Sequence, residues 1–244
     1  MEHSSWCWGF HPRSLESLSD QGLECLALLF AKCEEFGCWG QELITLLVRL
    51  PKPDGEARLI GLIDTLVRVW GRARRPLSAA WEHEHRTPEI WGSGAGRSSS
   101  DAAFDHAISD EIARYMGEHS VTVMIDLWKC YELVAPECLM QQAAELGFPL
   151  RLAWMCVQLY AQPRAIQAFG SVSQLCTTSQ GIIAGCSHAT TLLMVLTTKA
   201  VQRVKDVASS VRPRALVDDI TLHWTSSSLS KCVELRRATA QSVH

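Results

Sequence analysis

The sequence predicts an α+β fold, in which an antiparallel sheet is backed by helices. Two observations support this class. Apolar, β-prone runs flank short polar turns around residues 51–57 and 217–219, as they do in β-hairpins. Apolar residues recur at helical spacing elsewhere, most clearly over residues 14–36. The length of 244 residues suits one large domain or two small ones.

The composition bounds the class of protein. Hydrophobic residues make up 47% of the chain, which indicates an ordinary core. No apolar run reaches the roughly 18 residues of a membrane span, so we expect no membrane partner. The N-terminus has neither a secretory nor a transit pattern, which predicts an intracellular protein, nuclear or cytoplasmic. Ten cysteines occur without C-x-x-C pairs, and we interpret them as buried thiols of a reducing compartment.

The net charge of −3 is weak evidence against nucleic-acid binding, but its distribution matters more. Residues 49–75 carry seven basic and three acidic side chains, a net charge of +4. This excess suits a phosphate-facing surface, and it equally suits a solvated basic face.

In chain order, the first elements are a helix over residues 14–36, ended by Gly37, and a hairpin over residues 43–63. The hairpin has a Pro-Asp-Gly turn, with Lys52 at the turn and Arg58 at the start of the returning strand. Both cations could face an anion such as a triphosphate. The alternative is a solvated hairpin tip.

A Gly/Ser-rich stretch over residues 91–100 predicts a loop that opens into a helix capped by Ser99 or Ser100. It lacks the Lys-Ser/Thr ending of a Walker A loop. A basic loop at a helix N-terminus could contact a phosphate backbone. A flexible linker is an equally good interpretation.

Three carboxylates follow β-prone runs. Val121–Asp126 reads as a buried strand that ends on Asp126, and a hairpin over residues 214–224 carries Asp218 and Asp219 at its tip. A carboxylate beside a buried strand needs a partner, and a metal ion is one. Acids on neighbouring strand ends could hold two Mg²⁺ (or Mn²⁺) ions about 3.5–4 Å apart for phosphoryl transfer. An Asp-rich turn without chemical meaning is the alternative.

The remaining elements are mostly helical. The patterns predict helices from Pro136 to Gly147, over residues 149–161, from the Gln180-Gly181 turn to about residue 208, and from about residue 228 to the end, with a hairpin over residues 164–177.

Asp126, Gln180-Gly181 and Asp218-Asp219, in this order, resemble the reverse transcriptase family, most closely its non-LTR retrotransposon and group II intron branches. The resemblance covers roughly residues 9–235. It implies a right-hand polymerase fold with an N-terminal helical lead, fingers and a palm. The expected bounds are 1–40 for the lead, 41–119 for the fingers and 120–235 for the palm, with 140–178 partly in the fingers.

The resemblance also implies roles for the acids and their neighbours. The stretch D-L-W-K-C-Y-E is similar to the first palm motif, so Asp126 would be a metal ligand and Tyr131 the aromatic gate against a ribose 2′-hydroxyl. The stretch L-V-D-D is similar to the metal-binding hairpin, which makes Asp218 the second ligand and Asp219 its acidic neighbour.

Further motifs imply contacts to nucleotide and template. The stretch L-P-K-P-D-G-E-A-R-L-I is similar to the fingers motif whose Lys and Arg grip the incoming nucleotide, here Lys52 and Arg58. The stretch G-R-S-S-S-D-A-A, with Arg97 and Ser98, is similar to a segment that borders the template. Gln180 and the following glycine would lie beside the nascent base pair.

Three features depart from the family pattern. Leu216 stands where an aromatic residue is usual, Gly185 stands where a serine is usual, and the sequence stops about 25 residues after the paired acids, before a thumb. The resemblance implies an RNA-directed DNA polymerase that uses dNTP and a template-primer. The alternatives are an inactive retroelement remnant that binds nucleic acid and an unrelated Mg²⁺-dependent phosphotransferase.

Overall fold

A computed structural model describes residues 12–53, 55–92 and 97–242. Within these, the chain forms two compact units. The first unit combines the stretches up to Ser78 and from Tyr131 to Leu192, and the second combines Ala79–Cys130 with the chain from Leu193 onward. The helices and strands are α1 Asp20–Phe36, β1 Thr45–Pro51, β2 Ala57–Leu62, α2 Thr65–Glu84, β3 Ile90–Trp91, α3 Ser99–Tyr115, β4 His119–Asp126, α4 Pro136–Glu145, α5 Leu150–Tyr160, β5 Arg164–Ala168, β6 Ser171–Val172, α6 Ala189–Val207, β7 Arg212–Leu216, β8 Asp219–Ser226 and α7 Leu229–Ser242.

The first unit contains a four-stranded sheet in the order β2-β1-β5-β6. β1 and β2 form the predicted hairpin, and β5 runs parallel to β1. Helix α5 is the core of this unit, because seven of its eleven residues are buried. Trp39 and Trp70 add an edge-to-face aromatic pair with ring centroids 5.0 Å apart.

The second unit contains a four-stranded sheet in the order β3-β7-β8-β4. β7 and β8 form the predicted hairpin, and β8 pairs with β4 along its whole length. One face of this sheet packs with Cys232 of α7 around a core that includes Leu222 and Trp224. Helix α3 also contacts β4 and β7. Antiparallel pairing and covering helices confirm the predicted α+β class.

Three local predictions need correction. The helix expected over residues 14–36 begins only at Asp20, after a 3-10 turn over Pro12–Ser17, because Ser19 accepts a hydrogen bond from Gly22 N and caps it. Helix α3 is capped by Ser98, not by Ser99 or Ser100. Strand β4 is not buried on both faces. Val123 packs on the core, while Met124 is 78% exposed.

Three other observations bear on the sequence predictions. Of the cysteines in the described part of the chain, Cys156 and Cys232 are buried and the others are partly or fully exposed, so the expected burial of the thiols is wrong for most of them. The Gly/Ser-rich loop lies largely outside the described residues, which resume at Arg97. None of the helices in the described part of the chain is both long and apolar enough to cross a membrane.

Candidate active site

The paired acids lie at the turn between β7 and β8. Leu216 pairs with Asp219, so that Val217 and Asp218 form a two-residue turn. Val217 has φ +59°, a left-handed conformation that is uncommon for a β-branched residue. The tight pairing on both sides of the turn holds this conformation and places Asp218 at the tip.

Asp126 reaches the same edge of the sheet from the neighbouring strand. It pairs directly with Asp219 at the end of the β4–β8 ladder, so both side chains leave the same face of the sheet. The next residue, Leu127, donates its backbone N–H to the carbonyl oxygen of Asp218 at 3.4 Å. The three acids therefore lie at one end of the β4–β8 ladder, and a separation of Asp126 and Asp218 short enough to share a metal ion stays a prediction.

The charges of the three acids affect one another. The pKa of Asp219 is raised, first by partial burial and then by the negative charges of Asp218 and Asp126. Mutual repulsion therefore accounts for part of this shift, and a bound cation would relieve it.

The donor set fits a hard divalent cation. Three carboxylates supply only oxygen ligands, which Mg²⁺ and Mn²⁺ prefer. Asp126 and Asp219 are exposed and Asp218 is partly exposed, so an ion that keeps several water ligands can reach them. The residues present therefore fit such ions.

The surface next to these acids carries features that sequence reasoning missed. Trp128 is 72% exposed, two residues after Asp126, and Lys129 Nζ lies 4.6 Å from its ring centroid. Met124, on the same sheet face as Asp126, is also exposed. Exposed aromatic rings beside cations are typical of surfaces on which nucleobases stack. The D-L-W-K-C-Y-E stretch carries these residues, but an exposed tryptophan cannot be told from a buried one by sequence alone.

The β1–β2 hairpin carries the predicted triphosphate ligands in the first unit. Arg58 is exposed and pairs across the ladder with Leu50. Lys52 follows two residues after Leu50 and is partly exposed, with its ammonium 3.4 Å from Glu56. Strand alternation therefore puts Lys52 and Arg58 on one face. Their predicted direction toward the acids stays a prediction.

Tyr131 and the Gln180-Gly181 pair are brought together, also in the first unit. The carbonyl oxygen of Tyr131 accepts a 2.7 Å hydrogen bond from Ile182, and that of Val134 accepts one of 2.8 Å from Gly181. Gly181 has φ +101°, and a Cβ there would lie 2.9 Å from the carbonyl oxygen of Glu132. Only glycine fits this close approach of two segments.

The same kind of contact explains the departure at Gly185. Its φ is +110°, and a Cβ would lie 2.5 Å from the carbonyl oxygen of Gly61 on β2. Gly61 in turn donates its N–H to Ala184 at 2.7 Å. A serine at position 185 would push this loop off the strand. The glycine therefore allows the loop to join the edge of the hairpin.

Arg97 and Ser98, predicted to contact nucleic acid, make local contacts in the second unit. Arg97 donates to the carbonyl oxygens of Thr87 and Ile90, at 2.5 and 2.9 Å, and its guanidinium lies 4.9 Å from the ring centroid of Trp91. Ser98 forms a capping box with Asp101. These contacts fix the start of α3, and a nucleic-acid role for either residue stays a prediction.

Solved structures provide the comparison with known proteins. No protein-family description and no curated protein matches the sequence. A telomerase from Candida albicans in complex with a TWJ fragment of telomeric RNA superposes with a TM-score of 0.56 at 14% identity, over 87% of this chain and 43% of that chain. A Candida tropicalis telomerase in complex with such a fragment gives 0.54 at 12%, over 88% and 41%. The apo Candida tropicalis telomerase gives 0.54 at 11%, over 91% and 46%.

These structures show the fold of the chain. At 11–14% identity they show the fold alone, and the α+β arrangement of this chain is similar to that of part of each telomerase. At this level of identity the likeness carries no residue roles. The chain spans less than half the length of the telomerases that it matches.

Proposed function

We propose that this chain contains the fingers and palm of an RNA-directed DNA polymerase. It would transfer deoxynucleotides from dNTP to the 3′-hydroxyl of a primer on an RNA or DNA template. The observation that carries the proposal is the pairing of Asp126 with Asp219, beside Asp218 in its strained turn. The likeness to telomerases, two of them in complex with RNA, supports a polymerase role and a nucleic-acid partner.

The proposal extends to the branch and the subdomains. The residues of the sequence motifs favour a retroelement-derived enzyme of the non-LTR retrotransposon or group II intron type. Residues 41–119 would form the fingers and residues 120–235 the palm, with 140–178 partly in the fingers, after a helical lead over 1–40. Both statements depend on the sequence motifs alone.

Asp126 and Asp218 would hold the metal ions, with Asp219 as a further oxygen donor. Bound Mg²⁺ or Mn²⁺ would activate the attacking hydroxyl and stabilise the leaving phosphate oxygen. The contribution of the chain is to hold three mutually repelling carboxylates at one sheet edge. The β4–β8 ladder and the tight turn do this before any ligand arrives.

The remaining residues would position the substrates. Lys52 and Arg58 would neutralise the triphosphate, as cations on one face of a hairpin can. Tyr131 would stand against the sugar, where a ring excludes a 2′-hydroxyl by volume. Gln180 is exposed. Its neighbour Gly181 has no side chain, because the backbone of Glu132 comes too close for one. The two residues could therefore lie flat beside a base pair.

A second candidate is a retroelement remnant that binds nucleic acid without catalysis. The exposed ring of Trp128 beside Lys129, together with the basic hairpin, favours it, because such surfaces bind nucleic acid whether or not a metal site is present.

Primer extension on RNA and DNA templates with Mg²⁺ or Mn²⁺ separates the two candidates. The parent should extend the primer, and Asp218→Asn should lower the rate by about 100-fold or more, because metal stabilisation of the transition state supplies several kcal/mol. Asp206→Asn, an exposed acid on α6, is the matched control and should extend normally. Template binding without extension in the parent would overturn the polymerase proposal and leave the remnant.

A further inference from the structure

A second group of metal-binding side chains lies in the second unit, apart from the acidic turn. His106 and Asp110 are four residues apart on α3, so they project from one face of the helix. His223 projects toward them from β8 and is 1% exposed. One ligand atom from each of these three residues lies within 4.8 Å of the others.

The distances within this group are too long for hydrogen bonds and short enough for a shared ion. His106 Nε2 lies 3.7 Å from Asp110 Oδ2, and His223 Nδ1 lies 3.7 Å from Asp110 Oδ1. Ligand atoms around a tetrahedral zinc ion are about 3.4 Å apart, given Zn–N and Zn–O bonds of about 2.0–2.2 Å. A small inward rotation of each side chain would therefore bring the three atoms to bonding distance.

Two buried atoms in this group lack the partner that burial normally demands. Asp110 Oδ1 and His223 Nε2 are buried and make no hydrogen bond to the described part of the chain. An unpartnered buried polar atom costs about 1–3 kcal/mol, and a metal bond would satisfy the carboxylate oxygen.

The surroundings supply further contacts to the two rings. The hydroxyl of Thr122 on β4 lies 3.2 Å from His223 Nδ1 and 3.4 Å from His106 Nε2, and a water molecule next to it could take the fourth position of a tetrahedron. Arg214 also lies beside the group: its Nη1 is 3.5 Å from His106 Nδ1, while its other guanidinium nitrogens donate to Asp105, at 2.6 Å, and to Ser109.

We propose that His106, Asp110 and His223 form a binding site for a zinc-type divalent ion that fastens α3 to strand β8. Two imidazole nitrogens and one carboxylate suit Zn²⁺ and Co²⁺, whereas Mg²⁺ prefers an all-oxygen set. The site would be structural, because its ligands are partly or fully buried between helix and sheet.

The test is a calorimetric titration of the full chain with ZnCl₂, after a chelator has removed any bound metal. Excess Mg²⁺ is present to saturate the acids at the β7–β8 turn. The parent should bind one zinc ion and gain thermal stability. His106→Gln and Asp110→Asn should each weaken binding by at least about tenfold, since even outer-shell partners of metal ligands contribute about 10–100-fold. His119→Gln, an exposed histidine on β4, is the control and should bind like the parent.

Co²⁺ provides an independent readout if a variant folds poorly. The parent should show the visible bands of tetrahedral nitrogen and oxygen ligation without thiolate charge-transfer absorption. Thiolate absorption would overturn the proposal by assigning the metal to cysteines. Unaltered zinc affinity in both site variants, or no binding by the parent, would show that this group is not a zinc site. Asp218→Asn should keep its zinc, so failure here is independent of the polymerase proposal.

Discussion

At the scale of single residues, the side chain of Tyr131 could act in substrate selection or in packing, and its surroundings distinguish the two roles. Its side chain is only partly buried, and the hydrogen bond that ties its segment to Ile182 comes from its backbone carbonyl. Loss of the ring therefore leaves that hydrogen bond in place. A fully buried aromatic such as Tyr160 is different, because its truncation would leave a cavity.

We predict that Tyr131→Val folds normally and loses its preference for dNTP over rNTP. The expected cause is steric, because valine leaves room for a 2′-hydroxyl while Asp126 and Asp218 are unaltered. Single-nucleotide primer extension with each substrate measures the preference. The control is Tyr115→Val, since Tyr115 is 90% exposed at the end of α3. A folded Tyr131 variant that rejects rNTP as strongly as the parent would show that the gate assignment is wrong.

At the scale of elements, the sequence predicts hairpins better than it predicts exposure. The Pro-Asp-Gly turn and the Asp218-Asp219 pair each stand between β-prone runs, and both hairpins are observed. The apolar run before Asp126 is a strand as predicted, but its alternate residues face opposite sides, and Met124 is exposed. An unbroken apolar run does not reveal which face of the strand is exposed to solvent.

The candidate metal sites show a related limit. The sequence motifs predict that Asp126 and the paired acids lie on neighbouring strand ends, and the pairing of Asp126 with Asp219 agrees with this expectation. His106 and His223 are 117 positions apart, and their meeting depends on how α3 packs on the second sheet. Only H-x-x-x-D at positions 106–110, one face of a predicted helix, could have indicated the site in advance.

The loop at Gly185 allows an element-scale prediction. Gly185→Ala should lower the free energy of unfolding by about 3 kcal/mol or more, because the methyl group meets the carbonyl of Gly61 and the backbone stays at φ +110°. Gly147→Ala is the matched control. It also has a positive φ, but no atom lies within 4 Å of its Cβ position, so about 1–2 kcal/mol is expected. Urea unfolding measures both. Equal losses would show that the contact with Gly61 is not tight.

At the scale of the whole molecule, the apolar surface is distributed unusually. Helix α3 has Ser109 and Ala113 buried, while its apolar residues face outward. The usual amphipathic helix does the opposite. These outward residues are 41–90% exposed and recur at helical spacing: Phe104, Ile108, Ile112 and Tyr115. Such a stripe is a liability for aggregation in an isolated chain.

We therefore predict that the isolated chain aggregates reversibly with concentration, and that Phe104→Gln combined with Ile108→Gln and Ile112→Gln suppresses this. The substitutions remove exposed apolar area and add no buried polar group, so the free energy of unfolding should change by about 0.5 kcal/mol or less per site. Light scattering across a concentration series measures association, and thermal unfolding of dilute samples measures stability.

The control is Val123→Gln, which places a polar group against the sheet core and should destabilise the chain without improving its solubility. If the triple variant scatters light as strongly as the parent, the stripe is not the cause of aggregation. If it instead unfolds, these side chains lie in a core that their exposure does not reveal.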